Sequence, residues 1–186
     1  MRQLRYGVAM TLDGFIAGPN GEYDWIVSDP LIDFGAMFAR YDTLLMGRKT
    51  FEVASEKGKS WDTFGQRWIV VSRTLKPDEH PGVTFLSDGI AEAVAALKAQ
   101  TSPQTQTGLQ SQKDIWLFGG GMLFRFLLDA GLVDAIDVAV MPVLIGSGIP
   151  LLPEGRRQTL HLESSKTLPS GILMLSYEIK PKPVNL

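Results

Sequence analysis

The feature that most restricts this chain is a repeated junction, in which a short and continuously apolar run ends in glycine or hydroxyl residues and passes straight into a helical pattern. Residues 114–128, DIWLFGGGMLFRFLL, carry it in its sharpest form. Residues 43–52, TLLMGRKTFE, repeat it, and RWIVVSRTL at 67–75 adds a third strand end of the same kind. Uninterrupted apolar runs of this length belong to strands buried on both faces, and the helices between them supply the crossovers that parallel pairing requires. The chain is therefore expected to fold as an α/β domain built on a mixed, mostly parallel sheet with helices on both faces.

The other elements follow from the same reading. Residues 3–11 read as the first strand and 13–25 as a glycine-rich loop holding apolar residues. Ser28-Asp29-Pro30 reads as a helix start, with a capping side chain and proline at the first helical position, and the helix runs to about Arg40. Strands at 43–47, 67–72 and 83–86 alternate with helices at 48–54 and 90–100. The helix after the three glycines closes at Gly131, a long strand fills 134–144, and a loop spans 145–153. Strands near 157–168 and 172–180 meet at Pro169-Ser170-Gly171 as a C-terminal antiparallel hairpin. Residues 101–112 read as a surface loop and 181–186 as a frayed tail, which leaves one domain over 1–180.

Composition narrows the function classes. A chain of 186 residues with 45% hydrophobic content suits one core. Its formal net charge of −2, with lysine and arginine scattered, provides no basic stripe for nucleic acid. No apolar run approaches a membrane span and the N-terminus lacks a secretory pattern, so a cytoplasmic protein is expected. The lack of cysteine removes disulfides, thiolate metal ligands and cysteine nucleophiles together. His80 and His161 lie far apart and suit structural roles, and without clustered ligand spacing no metal site is expected.

Glycine within regular structure costs about 0.5–1 kcal/mol relative to alanine, so a triplet at a junction calls for a reason. Strand, glycines and helix N-terminus together make the local geometry that binds a phosphate; the alternative is close packing of helix on strand, and the residues alone leave both open. GGG matches neither the Rossmann nor the P-loop template. Arg48 and Lys49 stand against the dipole of the helix they open, an unfavourable arrangement unless an anion lies between them. Ser72, Arg73 and Thr74 add hydroxyls and a guanidinium at another carboxyl edge, where ligands of open α/β sheets collect. Three such strand ends point to an extended polyanion.

MTLDGFIAG (10–18), LLMGRKTFE (44–52), IVVSRTL (69–75) and LFGGGMLFRFLLDAGLVDAIDVAVMPVLIGSGIPLL (117–152) together resemble the dihydrofolate reductase superfamily. The resemblance is greatest to the reductase domain of bacterial riboflavin biosynthesis and its stand-alone relatives. It implies a dihydrofolate reductase-like three-layer fold and NADPH as cofactor. It further implies that Gly47, Arg48, Lys49 and Thr50 hold the pyrophosphate and the 2′-phosphate, with Ser72 and Arg73 completing the adenosine side. Gly119, Gly120, Gly121, Met122 and Leu123 would lie along the pyrophosphate and nicotinamide ribose, the first two glycines joined by a cis peptide. Ala9, Ile16 and Ala17 match positions that flank the nicotinamide.

The acid that dihydrofolate reductases carry on the helix after their tryptophan loop falls here on Pro30 or Leu31, so dihydrofolate is not the expected substrate. Asp29 reads as a helix cap. Asp13 and Asp24 are the expected catalytic groups, although Asp13 equally suits bracing its own turn, and Phe15 and Trp25 are expected to stack on a flat heterocycle. The expected function is NADPH-dependent hydride transfer to a small pterin-like or pyrimidine-like heterocycle. The alternatives are reduction of 5-amino-6-(ribosylamino)uracil phosphate in riboflavin synthesis, and a non-catalytic nucleotide-binding relative. A homodimer is expected from the apolar late strands.

Overall fold

The computed structural model describes residues 1–56, 65–100 and 113–180. The loop expected at 101–112 and the tail at 181–186 lie outside the described residues. In chain order the elements are β1 (Leu4–Thr11), β2 (Phe15–Ala17), α1 (Phe34–Ala39), β3 (Tyr41–Gly47), α2 (Arg48–Glu56), β4 (Arg67–Val71) and β5 (Val83–Leu86). There follow α3 (Ile90–Ala99), β6 (Asp114–Gly119), α4 (Gly121–Asp129), β7 (Ala135–Met141), β8 (Ile149–Pro150), β9 (Leu160–Thr167) and β10 (Leu173–Ile179). Eight strands form one sheet in the order β5-β4-β3-β6-β1-β7-β10-β9, and β2 pairs with β8 in a small antiparallel sheet. The six strands from β5 to β7 run parallel, while β10 and β9 add an antiparallel hairpin at one edge.

The apolar runs are explained by burial on two sides. Along β6, Ile115 and Leu117 pack into a core with Val94 and Leu97 of α3 and Leu123, Phe124 and Leu127 of α4. Trp116 and Phe118, between them in sequence, enter the opposite core with Met37 and Phe38 of α1 and Phe51 of α2. Leu45 and Ile69 follow the first pattern, Leu44, Met46 and Val70 the second. Full burial of each such side chain stabilises the fold by about 1.5–3 kcal/mol. Among the described residues no helix is long and apolar enough to cross a membrane.

Beyond β1 the second face changes character. Leu4, Tyr6, Val8 and Met10 still enter the core under α4, where Tyr6 stacks on Phe124 with ring centroids 3.9 Å apart. Arg5, Gly7, Ala9 and Thr11 alternate with them on the opposite face. Ala9, Trp25, Ile32, Ala139 and Met174 pack on Met141, Leu168 and Ile172 as a third cluster.

Three boundaries depart from expectation. The helix expected from Ser28-Asp29-Pro30 begins only at Phe34, capped by Asp33, whose carboxylate accepts from the Ala36 amide at 2.8 Å. Asp29 is not a cap. Its carboxylate accepts from the amides of Leu31 (2.8 Å) and Ser170 (3.1 Å), and its carbonyl from that of Ile32, so 29–32 is a turn pinned to the β9–β10 hairpin. Proline suits the second position of such a turn as well as it suits a helix start. The strand expected over 134–144 stops at Met141, because Pro142 has no amide to continue the ladder. The loops at 13–25 and 145–153 contribute β2 and β8, which pair with each other.

Candidate functional site

The carboxyl ends of β4, β3 and β6 lie side by side, with Gly47 opposite Val71 and Met46 opposite Gly119. This brings Gly47, Arg48, Lys49 and Thr50 together with Ser72 and Arg73 and with the start of α4. A Cβ added to Gly47 would come to 3.9 Å from the Gly120 amide nitrogen, and one on Gly119 to 3.0 Å from Oγ1 of Thr50. The β3 and β6 ends therefore meet backbone to backbone at Gly47 and Gly120, forming a glycine floor with the Thr50 side chain set against Gly119. Gly119 has φ of +145°, where residues with a side chain are strained, and its peptide to Gly120 is cis. Gly121 serves another purpose: its missing Cβ leaves room for the carbonyls of Pro150 and Leu151, 3.2 and 3.5 Å from where that atom would sit. Close packing, one of the two readings of the triplet, therefore holds at Gly121.

Beside this floor is a cavity of about 470 Å³ lined by Arg48, Val71, Ser72, Arg73, Thr74, Ser87 and Ile90. The Ser72 hydroxyl accepts from the amides of Thr74 (3.2 Å) and Leu75 (3.1 Å), which folds the loop so that Arg73 and Thr74 line the cavity. Arg48 pairs with Glu52 one helical turn on, at 2.7 Å, with both side chains more than two-fifths exposed. A pair so exposed contributes little and yields readily to a ligand anion. Lys49 and Arg73 are exposed, and no acid stands in the first turn of α2. Met122 is exposed, whereas the Leu123 side chain is committed to the core. Cavity, cations and bare backbone together fit an extended anionic ligand.

Ser87 and Ile90 escaped the sequence reading. They stand at a fourth strand end, where β5 passes into α3, but a single hydroxyl without a cation does not distinguish that junction from an ordinary turn.

At the tips of β1 and β7, Ala9 and Trp25 share the third cluster, and the Trp25 indole donates to the Glu22 carbonyl at 3.1 Å. Phe15, Ile16 and Ala17 form β2, held to β8 by pairing of Phe15 with Pro150 and Ala17 with Ile149. Asp13 accepts from the Thr11 hydroxyl at 2.6 Å and from the amides of Ile145 (3.1 Å) and Gly146 (2.7 Å). The Thr11 bond first, then the amides, hold its carboxyl below the usual carboxylate range. Of its two expected uses, bracing the turn is the one this geometry displays. Asp24 is exposed beside Trp25. Asp29, buried, is likewise held below the usual range, by Ser170 first and then by the Leu31 amide. Among the described residues no group of three histidine, aspartate or glutamate side chains is placed to hold a metal.

Comparison with known proteins follows the same outline. A model of the RibD C-terminal domain matches residues 2–174. The uncharacterized protein YyaP of Bacillus subtilis (strain 168) is 33% identical over 188 residues, covering 95% of this chain and 94% of that protein. Among solved structures, a Shewanella sp. PV-4 protein assigned to riboflavin biosynthesis has a TM-score of 0.78 at 22% identity, over 96% of this chain and 99% of that one. The diaminohydroxyphosphoribosylaminopyrimidine deaminase/5-amino-6-(5-phosphoribosylamino)uracil reductase of Thermotoga maritima gives 0.67 at 15% identity, over 96% of this chain but 57% of that one. The structural likenesses establish the fold, and a sequence match running from before β1 into β10 establishes more: this chain belongs to the RibD C-terminal domain family.

Proposed function

We propose that the protein is an NADPH-dependent reductase that transfers hydride to a small flat heterocycle, pterin-like or pyrimidine-like. The observation that carries this reading is the glycine floor at Gly47, Gly119 and Gly120, set beside a cavity lined by Arg48 and Arg73. When bound, the cofactor supplies the hydride. The chain's own residues do the rest. Backbone groups of Gly47 and Gly119 to Leu123, with the Thr50 hydroxyl, would hold the pyrophosphate, and Arg48, Lys49 and Arg73 the 2′-phosphate, which the loop shaped by Ser72 brings within reach. Ala9, Ile16 and Ala17 leave a slot for the nicotinamide, and Phe15 and Trp25 offer aromatic faces to the heterocycle. Asp24 is the proposed proton source, and Asp13 positions the turn that frames the site. Fixing both reactants in one cleft supplies most of the rate.

Reduction of 5-amino-6-(ribosylamino)uracil phosphate is the alternative that the family raises, and a relative that binds nucleotide without catalysis is the other. We further propose a homodimer formed at β9, one of the two edge strands of the sheet, which is exposed along its length and leaves Leu160 and Leu162 exposed.

Fluorescence titration with NADPH and with NADH tests the cofactor assignment. NADPH is expected to bind at least about tenfold tighter, a difference of 1.4 kcal/mol, and Arg73→Ala to reduce that preference. Failure of both nucleotides to bind would sink the reductase reading.

A further inference from the structure

The ligand edge of this sheet is electrically divided. Its cofactor end presents Arg48, Lys49 and Arg73. The other end is framed by residues 12–39, 142–152 and 168–172, which contain no lysine, arginine or histidine. Contacts weld these segments into one rim: the Leu12 amide donates to the Val143 carbonyl at 2.9 Å, Asp13 accepts from Ile145 and Gly146, β2 pairs with β8, and Asp29 accepts from Ser170. The charged groups of the rim are carboxylates, those of Asp13, Glu22, Asp24, Asp29 and Asp33. Its exposed large side chains are apolar, those of Leu12, Ile26, Val27, Leu31, Phe34 and Leu144.

The sheet beneath brings two cations toward this face, Arg5, which is buried and fully engaged, and Lys166, which is exposed on the edge strand β9. Arg5 is only 5% exposed, and its guanidinium donates to Asp137 (2.8 and 2.9 Å), Gln3 (2.8 Å), Ser176 (2.9 Å) and Glu163 (3.3 Å). Lys166 shares a cross-strand row with Met174, Ala139 and Ala9, three strand spacings or about 14 Å from Ala9. Its charge is a minor contributor to holding the Asp29 carboxyl below the ordinary range. Arg40, past the end of α1, lies over the Tyr41 ring, 5.7 Å from its centroid.

We infer that the second ligand of this site is an uncharged or cationic heterocycle that carries no phosphate ester. This rests on the reductase reading and narrows it. A phosphate seated on the rim would lose water beside like charges with no cation on the rim itself to pair, and Lys166 three strands away from Ala9, whereas ring N–H groups donate to carboxylates and ring faces pack on the apolar side chains. The reaction that supplies the substrate is therefore one that has removed a phosphate ester or never added one. The phosphorylated pyrimidine named for the Thermotoga protein is rejected here.

The test is calorimetry on NADPH-saturated protein with hydroxymethylpterin and 5-amino-6-(ribosylamino)uracil, each beside its phosphate ester and kept anaerobic. At least one unphosphorylated compound is expected to bind about tenfold or more tighter than its ester. Leu31→Lys, at an exposed position, is expected to raise the affinity of the ester. Equal or tighter binding of the esters, no gain in Leu31→Lys, or no binding of any heterocycle to protein that binds NADPH overturns the inference and leaves the cofactor site intact. Failure to bind NADPH is a different result, and removes the reductase reading itself.

Discussion

Gly119 and Gly120 are adjacent, yet the structure asks different things of them. A methyl group on Gly119 meets the Thr50 hydroxyl at 3.0 Å and sits on a backbone with positive φ, so Gly119→Ala is expected to cost about 1–3 kcal/mol in chemical denaturation. Gly120 has φ of −101° and a methyl there finds ordinary contact at 3.5 Å, so Gly120→Ala should fold nearly as well and lose NADPH affinity alone. Arg5 and Asp137 form the buried counterpart. Arg5→Ala strands a partly buried carboxylate and is expected to destabilise by about 3 kcal/mol. Burial pushes the Asp137 carboxyl up, but the bonds from Arg5 and Ser176 outweigh it and leave it below its ordinary value. The unfolded chain therefore takes up this proton first on acidification. The stabilisation is complete above the ordinary carboxylate range near 3.9 and disappears as pH falls through it to the folded value. Thermal melts of Asp137→Asn across acid pH should show a flatter decline. None of this network was legible in the sequence, since Arg5 and Asp137 stand 132 residues apart. Asp13 was half legible: aspartate before glycine announces a braced turn, but not that Ile145 and Gly146 complete it.

Among elements, the strands buried on both faces were readable because apolar content alone identifies them, and β3, β4, β5 and β6 came within two residues of expectation. The first helix was not, because Ser-Asp-Pro opens a turn as readily as a helix and the deciding partner, Ser170, lies 141 residues away. β2 and β8 have three and two residues, too short to carry a periodicity, and exist only through each other. The late start of α1 has a measurable consequence. Its cap is Asp33 and it buries no residue, so Asp33→Ala should lower local helix stability by about 1 kcal/mol. Hydrogen exchange at Ala36 and Met37 should quicken, while the global denaturation midpoint scarcely moves.

At the scale of the molecule, the division of charge makes cofactor binding sensitive to salt. Arg48, Lys49 and Arg73 are exposed, and screening at 0.1 M acts beyond about 10 Å, so NADPH affinity should fall as salt rises, with a shallower slope in the Arg48→Ala, Arg73→Ala double variant. Light scattering is expected to give twice the chain mass, and Leu162→Lys, a charge on the β9 edge, to halve it. The sheet order also bears on how the chain is made. β1 is made before every other strand of this sheet, yet its places are beside Ile115 and Leu117 of β6 and along the whole of β7. On the ribosome, β3, β4 and β5 can associate early, but β1 must wait for more than a hundred further residues before either neighbour exists. Closing such distant contacts is slow, and the waiting half-sheet exposes an apolar edge on β3. A chain released before β6 has no seat for β1, and one released before β7 seats only its first residues, so this sheet commits to folding only once β7 is made.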